Sequence, residues 1–216
     1  FAERFPDRHF NVGIAEANGV GIAGGLSVVG LRPFFHTFSA FATRRVFDQI
    51  FLTCAYAGQN VKIIGGDAGV TATYNGGTHM SFEDMGILRV LPTLTVMEAT
   101  DAVMMEDLTR QLPAYPGVVY LRTPRKATVK IYEPGSHFTI GQAVPLREGG
   151  AVPIFCQGLC VSEALKAADA LAAEGIEASV VDVFTVKPID RETIVRYAQK
   201  TGAVVTAENH NIIGAL

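Results

Sequence analysis

From residue 93 to the end of the chain, short apolar, β-branched runs alternate with longer stretches that repeat at helical spacing. Runs at 93–98, 118–122, 152–155, 178–183 and 203–206 have the length and composition of strands, and stretches at 101–112, 162–175 and 190–201 those of helices. Strands separated by a helix pair in parallel, because only antiparallel neighbours can be joined by a tight turn. Alternation of this kind points to the α/β class, here as two consecutive parallel-sheet units. Asp190 is placed to cap the last of these helices, and Gly175 stands where the middle one should stop.

The first ninety residues follow the pattern less regularly. Residues 12–30 mix Ile, Ala, Val and Leu with Gly19, Gly21, Gly24 and Gly25. Each glycine inside a helix costs roughly 1 kcal/mol relative to alanine, so a helix here makes sense if another backbone packs close against it. A strand-like run at 32–38 follows. Ser39 could cap the next stretch, in which Val46, Phe47, Ile50, Phe51 and Cys54 recur at helical spacing. Residues 61–64 read as a strand that runs into a glycine-rich loop at 65–79, and loops of that length are uncommon unless they have a function. Ser81 then reads as a helix N-cap with Asp84 in the capping-box position. Two prolines, alternating charge and no helical period mark 124–136 as a connection. The expected units are therefore 1–126 and 138–216, joined by a linker at 127–137. No internal repeat is visible. Phe1 opens the chain with no leader-like segment, and the chain stops just after a strand and a turn, so both units are expected to be incomplete at their outer ends.

Composition excludes several classes. Hydrophobic residues make up 49 % of the 216 and charged residues 18 %, which supports a buried core and not a disordered chain. A net charge of −3 gives no reason to expect nucleic acid or an anionic membrane surface as partner. The apolar runs are too short and too interrupted to cross a bilayer. Cys54, Cys156 and Cys160 do not make a disulfide framework. The C-x-x-x-C pair sits among apolar residues with no second cluster, so these thiols read as core packing in a reducing, cytoplasmic compartment.

Three groups of residues are candidates for chemistry. Glu16 lies among Ile14, Ala15, Ala17, Val20 and Ile22. A carboxyl group buried there must be paired or kept neutral. Spacing alone leaves open whether it is a catalytic group or a helix-surface or capping glutamate. Phe34, Phe35, Phe38 and Phe41 are either core residues or a platform for a bound ring. His79 closes the glycine-rich loop after Gly76-Gly-Thr78, and is either a binding residue held by a rigid scaffold or a cap for the next helix.

The segment Phe10-Asn-Val-Gly-Ile-Ala-Glu-Ala-Asn-Gly-Val-Gly-Ile-Ala-Gly-Gly-Leu26 resembles the pyrimidine-binding domain of the transketolase family, as do Thr37-Phe38, Asp48-Gln-Ile50, Asn75-Gly-Gly-Thr-His79 and Leu88-Arg89 in the same order. Val183-Phe-Thr-Val-Lys-Pro-Ile-Asp190 and Glu208-Asn-His-Asn-Ile-Ile-Gly214 resemble that family's C-terminal domain. The pattern is that of the C-terminal subunit of a split transketolase. The resemblance implies thiamine diphosphate as cofactor and transfer of a two-carbon unit from a ketose to an aldose. It assigns Glu16 as the glutamate that hydrogen-bonds a ring nitrogen of the cofactor's aminopyrimidine and so promotes its activation. Phe38 and Phe41 match aromatic positions around that ring. His79 matches a histidine that contacts the sugar and moves protons, and Arg122 an arginine that binds a substrate phosphate.

Departures from the family shape the expectation. Asn75 stands where an aspartate that reads a substrate hydroxyl is usual, and a phosphate-contacting histidine expected near Gly66 is absent. Asp67 is followed by Ala68, where the related deoxyxylulose-phosphate synthases carry an arginine. An unusual or unphosphorylated sugar is consistent with these changes. The chain lacks the Gly-Asp-Gly…Asn motif that holds Mg2+ and the diphosphate in this family, so the resemblance implies a diphosphate-binding N-terminal partner subunit carrying the metal ligands. A dimer of heterodimers, or a homodimer through the pyrimidine domain, is expected. The alternatives are a beta-type subunit of a 2-oxoacid dehydrogenase and a non-catalytic regulatory subunit of the same fold.

Overall fold

Strands form where the apolar runs predict them. The computed structural model describes residues 1–125 and 127–216. In it β1 (Phe34–Phe38), β2 (Lys62–Gly66), β3 (Thr95–Glu98) and β4 (Val119–Arg122) lie parallel in the order β1-β2-β4-β3. β3 and β4 bury every side chain, as strands of a parallel sheet covered on both faces do. Val20, Phe35, Ile63 and Tyr120 pack on one face, and Met97, Leu121, Met104 and Leu108 on the other. Val20 belongs to α1 (Glu16–Val28). Short helices α2 (Ser39–Ala42), α3 (Phe47–Gln49) and α4 (Asp84–Arg89) follow along the chain, and α5 (Ala102–Gln111) supplies Met104 and Leu108.

The second sheet has the order β5-β7-β6-β9, from β5 (Val144–Arg147), β6 (Val152–Cys156), β7 (Ala178–Asp182) and β9 (Val205–Ala207). α6 (Cys160–Ala173) packs Val161, Ala164 and Ala168 on one face, and α7 (Arg191–Thr201) packs Tyr197 on the other. Asp101 and Asp190 cap α5 and α7 by accepting the Met104 and Thr193 N–H groups. At the end of α6, Gly175 (φ 81°) and Ile176 donate back to Ala172 and Leu171, the six-to-one arrangement that needs a left-handed residue.

Both sheets are parallel except at one edge, a feature the alternation does not announce. β5 runs antiparallel to β7, and β8 (Thr185–Lys187) runs antiparallel to β3, where it extends the first sheet. The connecting segment is also fixed: the Asp101 carboxylate accepts the Ile131 and Tyr132 N–H groups at 2.8 and 2.9 Å. The Tyr132 hydroxyl reaches Asp182 on β7 at 2.7 Å. The expected boundary at 126 falls on the residue outside the described ones.

Two expected caps are corrected. Ser39 is the first residue of α2 and Ser81 precedes α4 by a turn; neither caps a helix, and their hydroxyls instead bond each other at 2.5 Å in the core. Asp84 does not return to Ser81. It is buried and accepts from Tyr120 and Arg122, because the interior offers it a cation. The expected amphipathic helix breaks after α2 and resumes at α3 and a wider turn at Ile50–Tyr56, with Val46, Ile50 and Cys54 buried and Phe51 exposed. The thiols are free, and burial pushes those of Cys54 and Cys160 up to about 11 and that of Cys156 higher still.

The glycines of α1 divide by face. A Cβ on Gly24 would fall 2.3 Å from the Thr53 methyl, whereas one on Gly25 would meet nothing within 4 Å. Gly25→Ala is therefore expected to stabilise the chain by up to about 1 kcal/mol, and Gly24→Ala to destabilise it despite the same gain in helix propensity. Urea unfolding of the two variants checks the opposite signs.

Candidate active site

The candidate residues gather at the carboxyl ends of the parallel strands, the end at which open α/β sheets bind ligands. Phe38 ends β1, Phe41 lies in α2, and the loop after β2 brings back His79. The three rings form one cluster: Phe38 to Phe41 at 5.8 Å, Phe38 to His79 at 5.1 Å and Phe41 to His79 at 4.9 Å, each edge to face. His79 Nδ1 shares a hydrogen bond of 2.8 Å with the Thr78 hydroxyl. Among the described residues its Nε2 has no partner. Phe41, Arg44, Arg45, Thr78 and His79 line an open cleft of about 530 Å³.

Glu16 is the first residue of α1, and it is only 8 % exposed. An acidic residue in the first turn lies near the positive end of the helix dipole, though among the described residues Glu16 makes no capping hydrogen bond to the helix N–H groups. Its Oε1 accepts from Arg45 Nη1 at 2.9 Å, and among the described residues Oε2 has no partner. The same guanidinium lies 3.6 Å from the centroid of the Phe41 ring. Arg45 therefore ties the carboxylate to the aromatic cluster. Arg44 braces the opposite wall, donating to Glu83 at 2.7 Å and to the Thr78 carbonyl at 2.8 Å. Sequence reasoning passed over both arginines, which look like the polar face of an amphipathic helix; their partners are 29 and 39 residues away.

Arg122 requires a correction. It lies at the end of β4 with no exposed surface, and its guanidinium donates to Asp84, Glu98 and the carbonyls of Ser81 and Asn209. Four of its five N–H donors are used there, and with no exposed surface the guanidinium is not presented to a substrate phosphate. A more exposed arginine, Arg125, lies past the end of β4, where it donates to Asn75 Oδ1 and lies 3.5 Å from Asp67. Asn75 itself is exposed at the turn that carries Thr78 and His79. Among the described residues no group of His, Cys, Asp or Glu is arranged to hold a metal ion, and no helix is long and apolar enough to cross a membrane.

The pyrimidine-binding domain of transketolase matches residues 1–130, and the transketolase C-terminal domain matches residues 141–216. The chain belongs to the transketolase family. Relatives match it over its whole length. One is 51 % identical over 216 residues, 100 % of this chain and 67 % of the relative: the 6-deoxy-6-sulfo-D-fructose transketolase subunit SqwH of a Clostridium species. The putative transketolase C-terminal section of Methanocaldococcus jannaschii is 40 % identical and is covered over 68 % of its length. A solved structure described as a split-gene transketolase in an inactive beta4 tetramer superposes with a TM-score of 0.93 at 42 % identity, covering 100 % of this chain and 70 % of that one. This transketolase chain thus has the pyrimidine-binding and C-terminal sections that such split subunits carry.

Proposed function

We propose that this chain performs thiamine-diphosphate-dependent ketol transfer together with a diphosphate-binding N-terminal partner. The observation that carries the reading is Glu16: a buried carboxylate with one unpartnered oxygen, held at a helix start beside an aromatic cluster and an open cleft. The aminopyrimidine of the cofactor fits these residues. Glu16 would bond a ring nitrogen, and Phe38 and Phe41 would flank the ring. The Arg45 guanidinium lies 3.6 Å from the Phe41 ring centroid, so a ring held against that face of Phe41 would require Arg45 to move aside. When bound, the cofactor supplies the carbanion chemistry that amino-acid side chains lack. Glu16 holds the proton at the pyrimidine end, and His79, with Nε2 free, donates to or accepts from the sugar oxygens. Asn75 reads a substrate hydroxyl from the same turn. Arg125, in place of Arg122, is the cation available to the far end of the sugar.

The Mg2+ and its ligands belong in this reading to the partner chain. The functional units are 1–126, the pyrimidine-binding domain, and 138–216, the C-terminal domain, with 127–137 between them. Gly21 and Gly25, open on the outer face of α1, would let the equivalent surface of another chain approach closely, in a dimer of heterodimers or in a homodimer through the first domain. A sugar bearing an anionic or unsubstituted end is the substrate class, and the sulfo-fructose of the 51 % identical relative is the first donor to test.

Combining the chain with its partner, thiamine diphosphate and Mg2+, and assaying a panel of ketose donors and aldose acceptors, tests the proposal. Cofactor bound without turnover of any donor would reject it in favour of a regulatory subunit. The same preparation checks the aromatic contribution: Phe41→Ala is expected to weaken cofactor affinity by about tenfold, from lost ring contact and area. Titration of the reconstituted pair with thiamine diphosphate reads that value directly.

A further inference from the structure

Two glycines stand immediately before Thr78 and His79, and packing pins neither of them. A Cβ on Gly76 or Gly77 would meet nothing within 4 Å, and Gly76 has left-handed backbone, φ 72°. Glycine leaves the chain freer than any other residue, so the place of the His79 side chain must be set by contacts that follow. The turn closes on itself, with the His79 and Met80 N–H groups donating to the Gly76 carbonyl at 3.0 and 3.1 Å. Arg44, in the turn between α2 and α3, then ties it to the other side of the cleft that both residues line. Its Nη2 donates to the Thr78 carbonyl at 2.8 Å and its Nη1 to Glu83 Oε1 at 2.7 Å. Among the described residues that carbonyl has no other donor. Glu83 is itself fixed, since its Oε2 accepts the Phe82 N–H at 2.8 Å. The Ser39 and Ser81 hydroxyls also bond each other, so segments 39–44 and 78–83 are joined twice, once in the core and once at the cleft.

We propose that Arg44 is a positioning residue for the reaction, setting the place of His79 by gripping the peptide bond that carries it. The inference deepens the ketol-transfer reading and rests on it. The path is short. The carbonyl that Arg44 holds belongs to the peptide between Thr78 and His79, and the Thr78 hydroxyl bonds His79 Nδ1 at 2.8 Å. Thr78 thus receives Arg44 through its backbone and orients the imidazole through its side chain. With Thr78 held, the ring meets Phe38 and Phe41 edge to face at 5.1 and 4.9 Å, and Nε2 is left for the sugar. Arginine suits the task, because its rigid planar fork directs separate donors to two acceptors at once. The side chains of Arg44 and Glu83 are 40 % and 31 % exposed, and ion pairs so open to water add little to stability. What the pair supplies is geometry, and a displacement of about 1 Å at a reacting group costs up to about a hundredfold in rate.

The test compares the pair reconstituted with thiamine diphosphate and Mg2+ before and after Arg44→Met, which keeps the apolar stem and removes the donors. The value of kcat is expected to fall by about tenfold, while cofactor affinity and urea unfolding stay unchanged. Arg44→Lys keeps the charge and most of the reach, and should recover part of the loss. Combined with His79→Gln, the Arg44 change should cost little more, because residues that act through one another are not additive. A rise in KM at unchanged kcat would mean that Arg44 touches the sugar itself, and it overturns the proposal, as does full additivity with His79→Gln. NMR of the His79 ring gives a readout independent of turnover, its resonance identified by its loss in His79→Gln. Two phenylalanine rings lie edge to face with this imidazole, and their ring currents shift its proton resonances. In Arg44→Met those resonances should move towards the values of an exposed histidine, and unmoved resonances overturn the proposal. Arg44→Gln replaces the methionine variant if that fails to fold. If the unmodified pair turns over no ketose, the ketol-transfer reading fails, and the His79 resonances still decide whether Arg44 positions the ring.

Discussion

Glu16→Gln is expected to lower ketol-transfer turnover of the reconstituted pair by at least about a hundredfold, the size of effect that a positioned proton-transfer group contributes. The substitution is chosen to separate chemistry from structure. Glutamine has the same length, and its amide oxygen can still accept from Arg45 Nη1, which the carboxylate accepts at 2.9 Å. What it loses is the ability to hold and release a proton at its other oxygen, the atom left unpartnered beside the cleft. Unfolding free energy should therefore change little, and thiamine diphosphate should still bind to the pair with affinity reduced less than turnover. Steady-state rates, cofactor titration and urea unfolding on the same preparation distinguish the cases. Turnover within about threefold of the unmodified pair, with the fold intact, would falsify the catalytic assignment, since proton-transfer groups contribute far more than that.

The outline of the fold was readable because the signals that specify it are local. Alternating runs placed the strands of both sheets, and Asp190 and Gly175 marked helix ends that the backbone confirms. The strands that escaped notice, 144–147 and 185–187, are only four and three residues long, and both pair antiparallel at a sheet edge. Runs that short show no period, and their partners lie far away in the chain. Ser39 and Ser81 were misread for a related reason. Each stands before a helix, as a cap would, but the choice between capping and bonding another side chain depends on which groups the fold brings together 42 residues apart.

The candidate site shows the same division. Glu16, Phe38, Phe41 and His79 are candidates from their motifs, and the structure brings the last three into mutual contact while Arg45 joins Glu16 to them. Arg45 and Arg125 were missed because charge at a helix surface or after a proline is ordinary, and only the tertiary partners give it a role. Arg122 and Arg125 are three positions apart, alike in chemistry, and opposite in placement. Arg122 lies within a strand whose residues are all buried, while Arg125 lies past its end. The burial of β4 on both faces, predictable from its apolar run, is the signal that could have assigned Arg122 to the interior.

Arg122→Met is expected to destabilise the chain by about 3–5 kcal/mol, the usual result of removing one member of a buried ion cluster. The guanidinium bonds Asp84 at 2.8 Å and Glu98 at 3.0 Å, with all three side chains at or below 1 % exposure. It also ties the Ser81 and Asn209 carbonyls together, so its loss loosens contacts between segments 128 residues apart in sequence as well as charge. Burial opposes the charged form of Arg122, but the flanking carboxylates outweigh it and hold the arginine protonated. Burial also pushes the Glu98 carboxyl above its ordinary value of 4.5, with Arg122 opposing the rise. A methionine there removes that opposition, so the folded variant holds a proton on Glu98 over a wider pH range than the unfolded chain does. A group whose folded pKa is raised binds more protons in the native state, so its contribution to stability falls as pH rises from the unfolded value through the folded one. The deficit of Arg122→Met should accordingly be largest at neutral and alkaline pH and shrink as pH falls towards 4.5. Urea unfolding of both proteins at pH 5 and pH 8 measures it, and a deficit that does not widen with pH would show that Arg122 acts through its carbonyl contacts and not through the buried carboxylates.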